Sequence, residues 1–190
     1  EAGHGGSPEE VEANCRLLIE AGAVGLNLED AKMGTPELVD PSLHVERVRA
    51  AREAGRAKGV HLVINARTDV FLAAVGAPES RLEHAVLRAN RYREAGADCL
   101  FVPGVSERAT IEALVRQVKG PLNVLAGSGA PSIAELERIG VRRVSVGSGP
   151  MRATLGLVQR IARELKEEGT YSSFTEGALP YAAANQLFAK

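Results

Sequence analysis

The sequence predicts an α/β fold built on a parallel sheet, and three observations carry that reading. An amphipathic helix pattern, a glycine and a short buried-strand pattern alternate five times along the 190 residues. Glu20-Ala-Gly-Ala-Val-Gly-Leu returns as Glu94-Ala-Gly-Ala-Asp-Cys-Leu, with Ile139-Gly-Val-Arg-Arg-Val-Ser-Val as a looser copy. Apolar residues make up 45% of the chain, enough for one core in a single domain of this length. Each amphipathic helix must bury its stripe against neighbouring strands, which calls for right-handed crossovers between parallel strands. Five strands suit an open doubly wound sheet. A closed barrel needs about eight, so the barrel reading requires about three strand units before Glu1.

The elements follow in order. The chain opens without a methionine, inside the glycine-rich run Glu1-Ala-Gly-His-Gly-Gly, as expected for a domain whose start lies upstream. Ser7-Pro8-Glu9-Glu10 then spells a helix start, with Ser7 as N-cap, Pro8 in the first turn and Glu10 completing a capping box. Val11, Cys15, Leu18 and Ile19 form its apolar stripe, Gly22 ends it, and Val24, Leu26 and Leu28 alternate in a strand bounded by Glu29-Asp30. These two acids either serve chemistry at a strand end or simply begin a solvated loop. Residues 31–41 are too rich in turn formers for regular structure and are long enough to act as a mobile lid.

The next helix spans about 42–58, stops at Gly59, and delivers the strand His61-Leu-Val-Ile-Asn65-Ala-Arg67-Thr68-Asp69, apolar at its start and polar at its end. A helix over about 79–95 leads to Asp98-Cys-Leu-Phe-Val-Pro103-Gly104, and one over 106–119 leads to Pro121-Leu-Asn123-Val-Leu. A short amphipathic helix over 132–139 feeds Arg143-Val-Ser-Val-Gly147-Ser148-Gly149. A long helix near 151–168 and a Tyr/Phe/Ala-rich tail, expected to dock on something, close the chain.

Composition excludes several classes of function. Net charge is −1 with Lys and Arg dispersed, so there is no basic footprint for nucleic acid or an anionic membrane. No apolar run approaches the ~20 residues that span a bilayer, and no basic-then-apolar leader is present, which points to the cytoplasm. Cys15 and Cys99 read as buried free thiols of a reducing compartment. Gly-x-Ser-x-Gly, P-loop and dinucleotide fingerprints are absent.

The polar residues just after the strand patterns are Glu29 and Asp30, then Asn65, Arg67 and Asp69, then Asn123, then Gly147 and Ser148. In a parallel sheet these carboxyl ends lie together. They offer a carboxylate for a divalent cation, a guanidinium for two-point binding of a carboxylate, and amides for an enolate or carboxylate oxygen. Arg67 either clamps a ligand or pairs with Asp69 or Glu29, and Asn123 is either a ligand amide or a turn former. His4, between Gly3 and Gly5, either polarises a substrate or is solvated.

In this order and spacing, Glu1-Ala-Gly-x-Gly, Glu20-Ala-Gly-Ala-x-Gly-x-Asn27-Leu-Glu29-Asp30, Asn65-Ala-Arg67-Thr68-Asp69 and Ala95-Gly-Ala-Asp98 resemble the isocitrate lyase/phosphoenolpyruvate mutase superfamily. The resemblance implies a TIM-type (β/α)8 barrel whose C-terminal tail, about residues 170–190, is exchanged between subunits of a homotetramer or dimer. It implies Mg²⁺, with Mn²⁺ as a substitute, holding a small 2-oxo acid or related dicarboxylate while a C–C or P–C bond is made or broken through an enolate. By the same resemblance Glu1 and Glu29 are metal ligands, and Arg67 holds a substrate carboxylate and is catalytic with Glu29. Asn27 stands where the lyases often have His, and Asn123 matches a ligand-binding Asn. Gly3, His4, Asn27, Asn65 and Asn123 join Arg67 as the expected substrate-binding set.

Departures from the family pattern narrow the reaction. Lys32-Met33-Gly34-Thr35 stands where the lyases carry Lys-Lys-Cys-Gly-His, so the acid/base Cys is absent and isocitrate and methylisocitrate cleavage are disfavoured. Pro103 replaces an expected Glu, and the Asn-rich mutase loop is not recognisable. Two alternatives stand beside the enzyme reading. One is a non-catalytic 2-oxo acid binding protein that keeps the metal site, and the other is an unrelated α/β protein binding a phosphorylated ligand at Gly147-Ser148.

Overall fold

The computed structural model describes residues 4–189. The chain divides into two compact units, Glu1–Ser145 and Val146–Lys190. The first begins with α1 (Pro8–Glu20) and β1 (Gly25–Glu29), continues through α2 (Pro41–Ala57) and β2 (Val63–Arg67), then α3 (Arg81–Glu94) and β3 (Cys99–Phe101). It ends with α4 (Arg108–Gln117), β4 (Leu122–Leu125), α5 (Ile133–Ile139) and β5 (Arg143–Ser145).

All five strands pair in parallel, in the order β1-β2-β3-β4-β5. That order decides between the two architectures. A doubly wound sheet reverses direction at a switch point and so places helices on both faces. Here every right-handed crossover steps the same way, which puts all the helices on one side and makes the sheet a wall of a barrel. The open, doubly wound alternative is therefore rejected.

Side-chain alternation confirms the two faces. Leu28, Ile64, Ala66, Leu100, Leu122 and Val124 share one buried cluster with Val11 and Cys15 of α1, Val48 and Ala51 of α2, Ala85 and Ala89 of α3, and Ile111 and Leu114 of α4. A fully buried Leu, Ile or Val contributes about 1.5–3 kcal/mol, so this helix-facing layer carries the unit's stability. Strand residues of the opposite parity, Asn27, Glu29, Asn65, Arg67, Phe101 and Asn123, lie outside that cluster on the inner face.

Local signals act as the sequence leads one to expect. Ser7 accepts the Glu10 N–H at 3.2 Å while the Glu10 carboxylate accepts the Ser7 N–H at 3.2 Å. Ser132 and Glu135 form the same reciprocal box at α5. Gly140 ends α5 with φ of 104°, which strains any other residue, and a Cβ there would sit a tight 3.1 Å from Val115. Boundaries shift slightly. The helix expected from 79 begins at Arg81 after a 3₁₀ turn over Pro78–Ser80, and that expected over 106–119 is trimmed to Arg108–Gln117 because Glu107 and Val118 are extended. Both cysteines are buried and free, and burial raises the Cys15 thiol to about 11.

The second unit holds α6 (Gly149–Glu167), α7 (Ser172–Thr175) and α8 (Tyr181–Gln186). The Glu164 carboxylate accepts Thr170 Oγ1 at 2.6 Å, Ser172 N at 2.7 Å and Ser173 N at 2.8 Å, which folds the tail's start back onto α6. Those bonds hold its pKa down at about 2. Leu155, Val158 and Leu165 on α6 and Tyr181 and Phe188 on the tail are exposed. Among the described residues no helix is long and apolar enough to cross a membrane.

Candidate active site

The inner face gathers polar side chains in one register row. Glu29 of β1 is level with Arg67 of β2, Arg67 with Phe101 of β3, and Phe101 with Asn123 of β4. Two residues earlier, Asn27 is level with Asn65. Parallel pairing at this register makes the neighbourhood, because strand neighbours of equal parity point to the same side.

Arg67 is the hub. Its Nε and one terminal nitrogen donate to the two oxygens of Asp69 at 2.6 and 2.9 Å, the two-point fork a guanidinium makes with a carboxylate. Its other terminal nitrogen lies 2.9 Å from Glu29 Oε2. The guanidinium stands 5.7 Å from the centre of the Phe101 ring, a cation–π distance that steadies its plane. The ion-pair reading of Arg67 is thus realised with both carboxylates. Glu29 is 9% and Asp30 0% exposed, so the pair does not begin a solvated loop.

The amides pair among themselves. Asn65 donates to Asn27 Oδ1 at 2.6 Å, while Asn65 Oδ1 is buried with no partner among the described residues, an acceptor in need of a donor or a cation. Asn123 donates to Ser145 Oγ at 3.0 Å, so it is held by the next strand and is not a turn former. His4 Nε2 lies 3.0 Å from the Asn27 carbonyl oxygen, which ties it to the strand carrying Glu29 and leaves the merely solvated reading unsupported. Glu1 and Gly3 fall outside the described residues. Gly147 has φ of 52° and Ser148 makes no side-chain cap, and both lie in the second unit.

Sequence reasoning missed the cluster behind the site. Asp30 Oδ1 accepts the Asp69 N–H at 3.0 Å, and Oδ2 accepts Arg88 Nη1 at 2.9 Å and the Tyr92 hydroxyl at 2.7 Å. Arg88 stands in the middle of α3, one of the chain's dispersed basic residues, yet it is 5% exposed. The only available signal was that Arg88 and Tyr92 lie four residues apart, on the helix's apolar stripe. His44 is also fully buried, its ring 4.4 Å from that of Tyr92 in an edge contact.

Burial pushes the His44 imidazole down to about 4 from 6.5, against the pull of Asp30. The folded state therefore carries it neutral. Below pH 6.5 the unfolded chain takes up a proton that the folded chain refuses, so stability falls as pH drops from 6.5 toward 4, by on the order of 3 kcal/mol across that window. Urea titrations at pH 6.5 and 4.5 should show this loss in the wild type and a flatter dependence in His44→Leu. Equal slopes would assign the loss to other groups.

The expected lid is more ordered than its composition suggests. Ala31 and Leu38 form an antiparallel bridge, Lys32 N–H donates to the Glu37 carbonyl at 2.8 Å, and Val39 N–H donates to the Asp30 carbonyl at 2.8 Å. Residues 31–39 are a small hairpin rooted on Asp30, with Met33 and Gly34 at its tip. In the loop after β3, Gly104 has φ of 87°, and a Cβ there would lie 2.8 Å from the Leu72 backbone, so the loops after β2 and β3 touch only because no side chain intervenes.

Among the described residues no group of three His, Cys, Asp or Glu side chains converges as a metal cage. Mg²⁺ does not require one, since it commonly takes one or two carboxylates and fills its shell with water and substrate oxygens. Glu29 and the unpartnered Asn65 Oδ1 are hard oxygen donors, so the donor set suits Mg²⁺ in kind.

Comparison with known proteins gives a consistent result. The family model described as phosphoenolpyruvate phosphomutase matches residues 1–166. A solved structure of a candidate lyase/mutase from Burkholderia cenocepacia J2315 is 37% identical with a TM-score of 0.88, covering 98% of this chain and 66% of that one. The structure of 2,3-dimethylmalate lyase, a phosphoenolpyruvate mutase/isocitrate lyase superfamily member, is 26% identical with a TM-score of 0.77, covering 96% and 62%. Oxaloacetate decarboxylase of Rhodopseudomonas palustris is 30% identical over 192 residues, covering 96% of this chain and 60% of its own. The chain spans about three fifths of the length of the curated relatives it matches.

Proposed function

The chain belongs to the phosphoenolpyruvate phosphomutase family, within the isocitrate lyase/phosphoenolpyruvate mutase superfamily, and from that premise we propose a Mg²⁺-dependent enzyme acting on a small 2-oxo acid or related dicarboxylate. An unrelated phosphate-binding fold is set aside by the same membership. The observation that supports the proposal is the Glu29–Arg67 contact of 2.9 Å at adjacent strand ends, a carboxylate of the kind that takes Mg²⁺ beside a guanidinium of the kind that takes a carboxylate.

In this reading Glu29 and Asn65 hold the cation, with Mn²⁺ as a substitute. The cation supplies a Lewis-acid charge where negative charge gathers on the substrate. Arg67, kept in plane by Phe101 and angled by Asp69, binds a substrate carboxylate and fixes the direction in which the C–C or P–C bond breaks. Asn27 and Asn123 offer amide N–H groups to further substrate oxygens, His4 orients the Asn27 strand, and the 31–39 hairpin excludes water. Among the relatives named above, the oxaloacetate decarboxylase and the 2,3-dimethylmalate lyase support C–C bond cleavage, while the phosphomutase family model and the lyase/mutase structure keep P–C chemistry beside it.

A second reading is favoured by one feature. The hairpin tip carries no Cys, and its Lys32 is tied to Glu37 at 2.7 Å, so a general acid/base is missing from the loop and the site would bind a 2-oxo acid without turning it over. Product analysis with oxaloacetate, phosphonopyruvate and 2,3-dimethylmalate separates the two. The enzyme reading expects Mg²⁺-dependent turnover of at least one, lost in Glu29→Gln, whereas binding without turnover supports the second reading. The exposed apolar positions of α6 and the tail are proposed to pack in a dimer or tetramer by exchange of the tail. Sedimentation of the same sample as a monomer would refute the exchange.

A further inference from the structure

We propose that Arg88 and Tyr92 are positioning residues that, through the buried carboxylate of Asp30, couple the 31–39 hairpin to the Glu29–Arg67 pair. The inference rests on the reading of that pair as the ligand-binding centre. It assigns a role in binding to residues of α3, on the far side of the sheet from the inner face.

Asp30 is a branch point. Its backbone N–H donates to the Arg67 carbonyl at 3.1 Å and its carbonyl accepts the Val39 N–H at 2.8 Å, so β2 and the exit of the hairpin are both bonded to one residue. Its side chain repeats the division. Oδ1 accepts the Asp69 N–H at 3.0 Å, and Asp69 in turn holds two N–H groups of Arg67. Oδ2 accepts Arg88 Nη1, and the same Nη1 donates to the Val39 carbonyl at 3.0 Å.

One guanidinium therefore bonds the hairpin exit and neutralises the carboxylate that sets Asp69. Its orientation is fixed from behind. Arg88 Nε donates to His84 Nε2 at 3.0 Å, and the Tyr92 hydroxyl lies 3.1 Å from Nη1 while donating to Asp30 at 2.7 Å. The members Asp30, Arg88 and Tyr92 are 0%, 5% and 0% exposed, so water cannot replace a lost partner. Interactions in such surroundings are strong when complete and costly when broken, which makes the cluster a stiff link. If the hairpin exit moves, Arg88 must leave Val39 or Asp30. Leaving Asp30 strips its carboxylate of the cation that holds it, which loosens its grip on the Asp69 N–H and, through Asp69, on the Arg67 fork.

Two measurements on the full chain test the link, using Arg88→Lys, which keeps the charge but loses the fork, and Tyr92→Phe, which removes one bond to Asp30. The first needs no ligand. Amide exchange in either variant should rise together at Lys32, Val39 and Asp69, with the Leu122–Leu125 amides unchanged, and a rise at the hairpin alone, or at neither place, would overturn the coupling. The second is a double-mutant cycle with Arg67→Lys, read as oxalate affinity in the presence of Mg²⁺. Each single variant should weaken binding, Arg88→Lys by about tenfold, and the double variant should lose little beyond Arg67→Lys alone.

Losses that multiply would mark Arg88 and Tyr92 as merely structural, because independent effects add in free energy. If Arg67→Lys itself leaves oxalate affinity unchanged, the ligand-binding reading fails and the exchange result alone decides the coupling. Should Arg88→Lys not fold, the Tyr92→Phe cycle decides it by the same criterion.

Discussion

Replacing Arg67 by Lys is expected to weaken binding of a 2-oxo acid by roughly ten- to hundredfold, the size of one charge-assisted pair of about 1.5–3 kcal/mol. Lysine keeps the charge but not the planar fork. In the folded chain that fork holds Asp69 at 2.6 and 2.9 Å, with the remaining nitrogen on Glu29 at 2.9 Å. A lysine ammonium cannot span both carboxylates in that geometry, so the melting temperature should fall as well. The diagnostic outcome is therefore the affinity. Loss of oxalate affinity alongside a modest fall in melting temperature supports the clamp, while a lower melting temperature with unchanged affinity would reduce Arg67 to an internal ion pair.

The largest effect on stability is expected from Arg88→Leu. The substitution leaves the Asp30 carboxylate fully buried with the Tyr92 hydroxyl and the Asp69 N–H as its remaining side-chain partners. Breaking a buried pair by removing one partner costs about 3–5 kcal/mol, because the other charge is left without compensation. Removing both charges, as in Asp30→Asn with Arg88→Leu, should cost less than the single change. Urea unfolding of the two variants checks the order. A loss below about 1 kcal/mol for Arg88→Leu, the level typical of exposed ion pairs, would show that water reaches the cluster.

Much of this arrangement could be read in the chain, and the exceptions share a cause. The helices were legible because their signals are local, such as the reciprocal bonds of Ser7 with Glu10 and of Ser132 with Glu135. The strand ends were legible because a buried parallel strand is apolar until it meets the site, which singled out Glu29 and Arg67. Whether the sheet was a doubly wound sheet or a barrel wall was not, since that depends on which strands pair, and pairing of β1 with β2 spans a whole helix. Asp30 and Arg88 meet across 58 residues, with nothing local to link them. The 31–41 loop looked irregular by composition, but the bridge between Ala31 and Leu38 is a pairing that turn formers promote without announcing.

Glu29 and Arg67 are proposed to bind a 2-oxo acid together with a divalent cation. Calorimetric titration of oxalate, a small dicarboxylate of the right reach, tests it most directly, with and without Mg²⁺, in the wild type and in Glu29→Gln. One-to-one binding that requires Mg²⁺ is expected, lost or strongly weakened in Glu29→Gln. Equal affinity without the metal, or in Glu29→Gln with it, would show that Glu29 does not hold a cation for the acid.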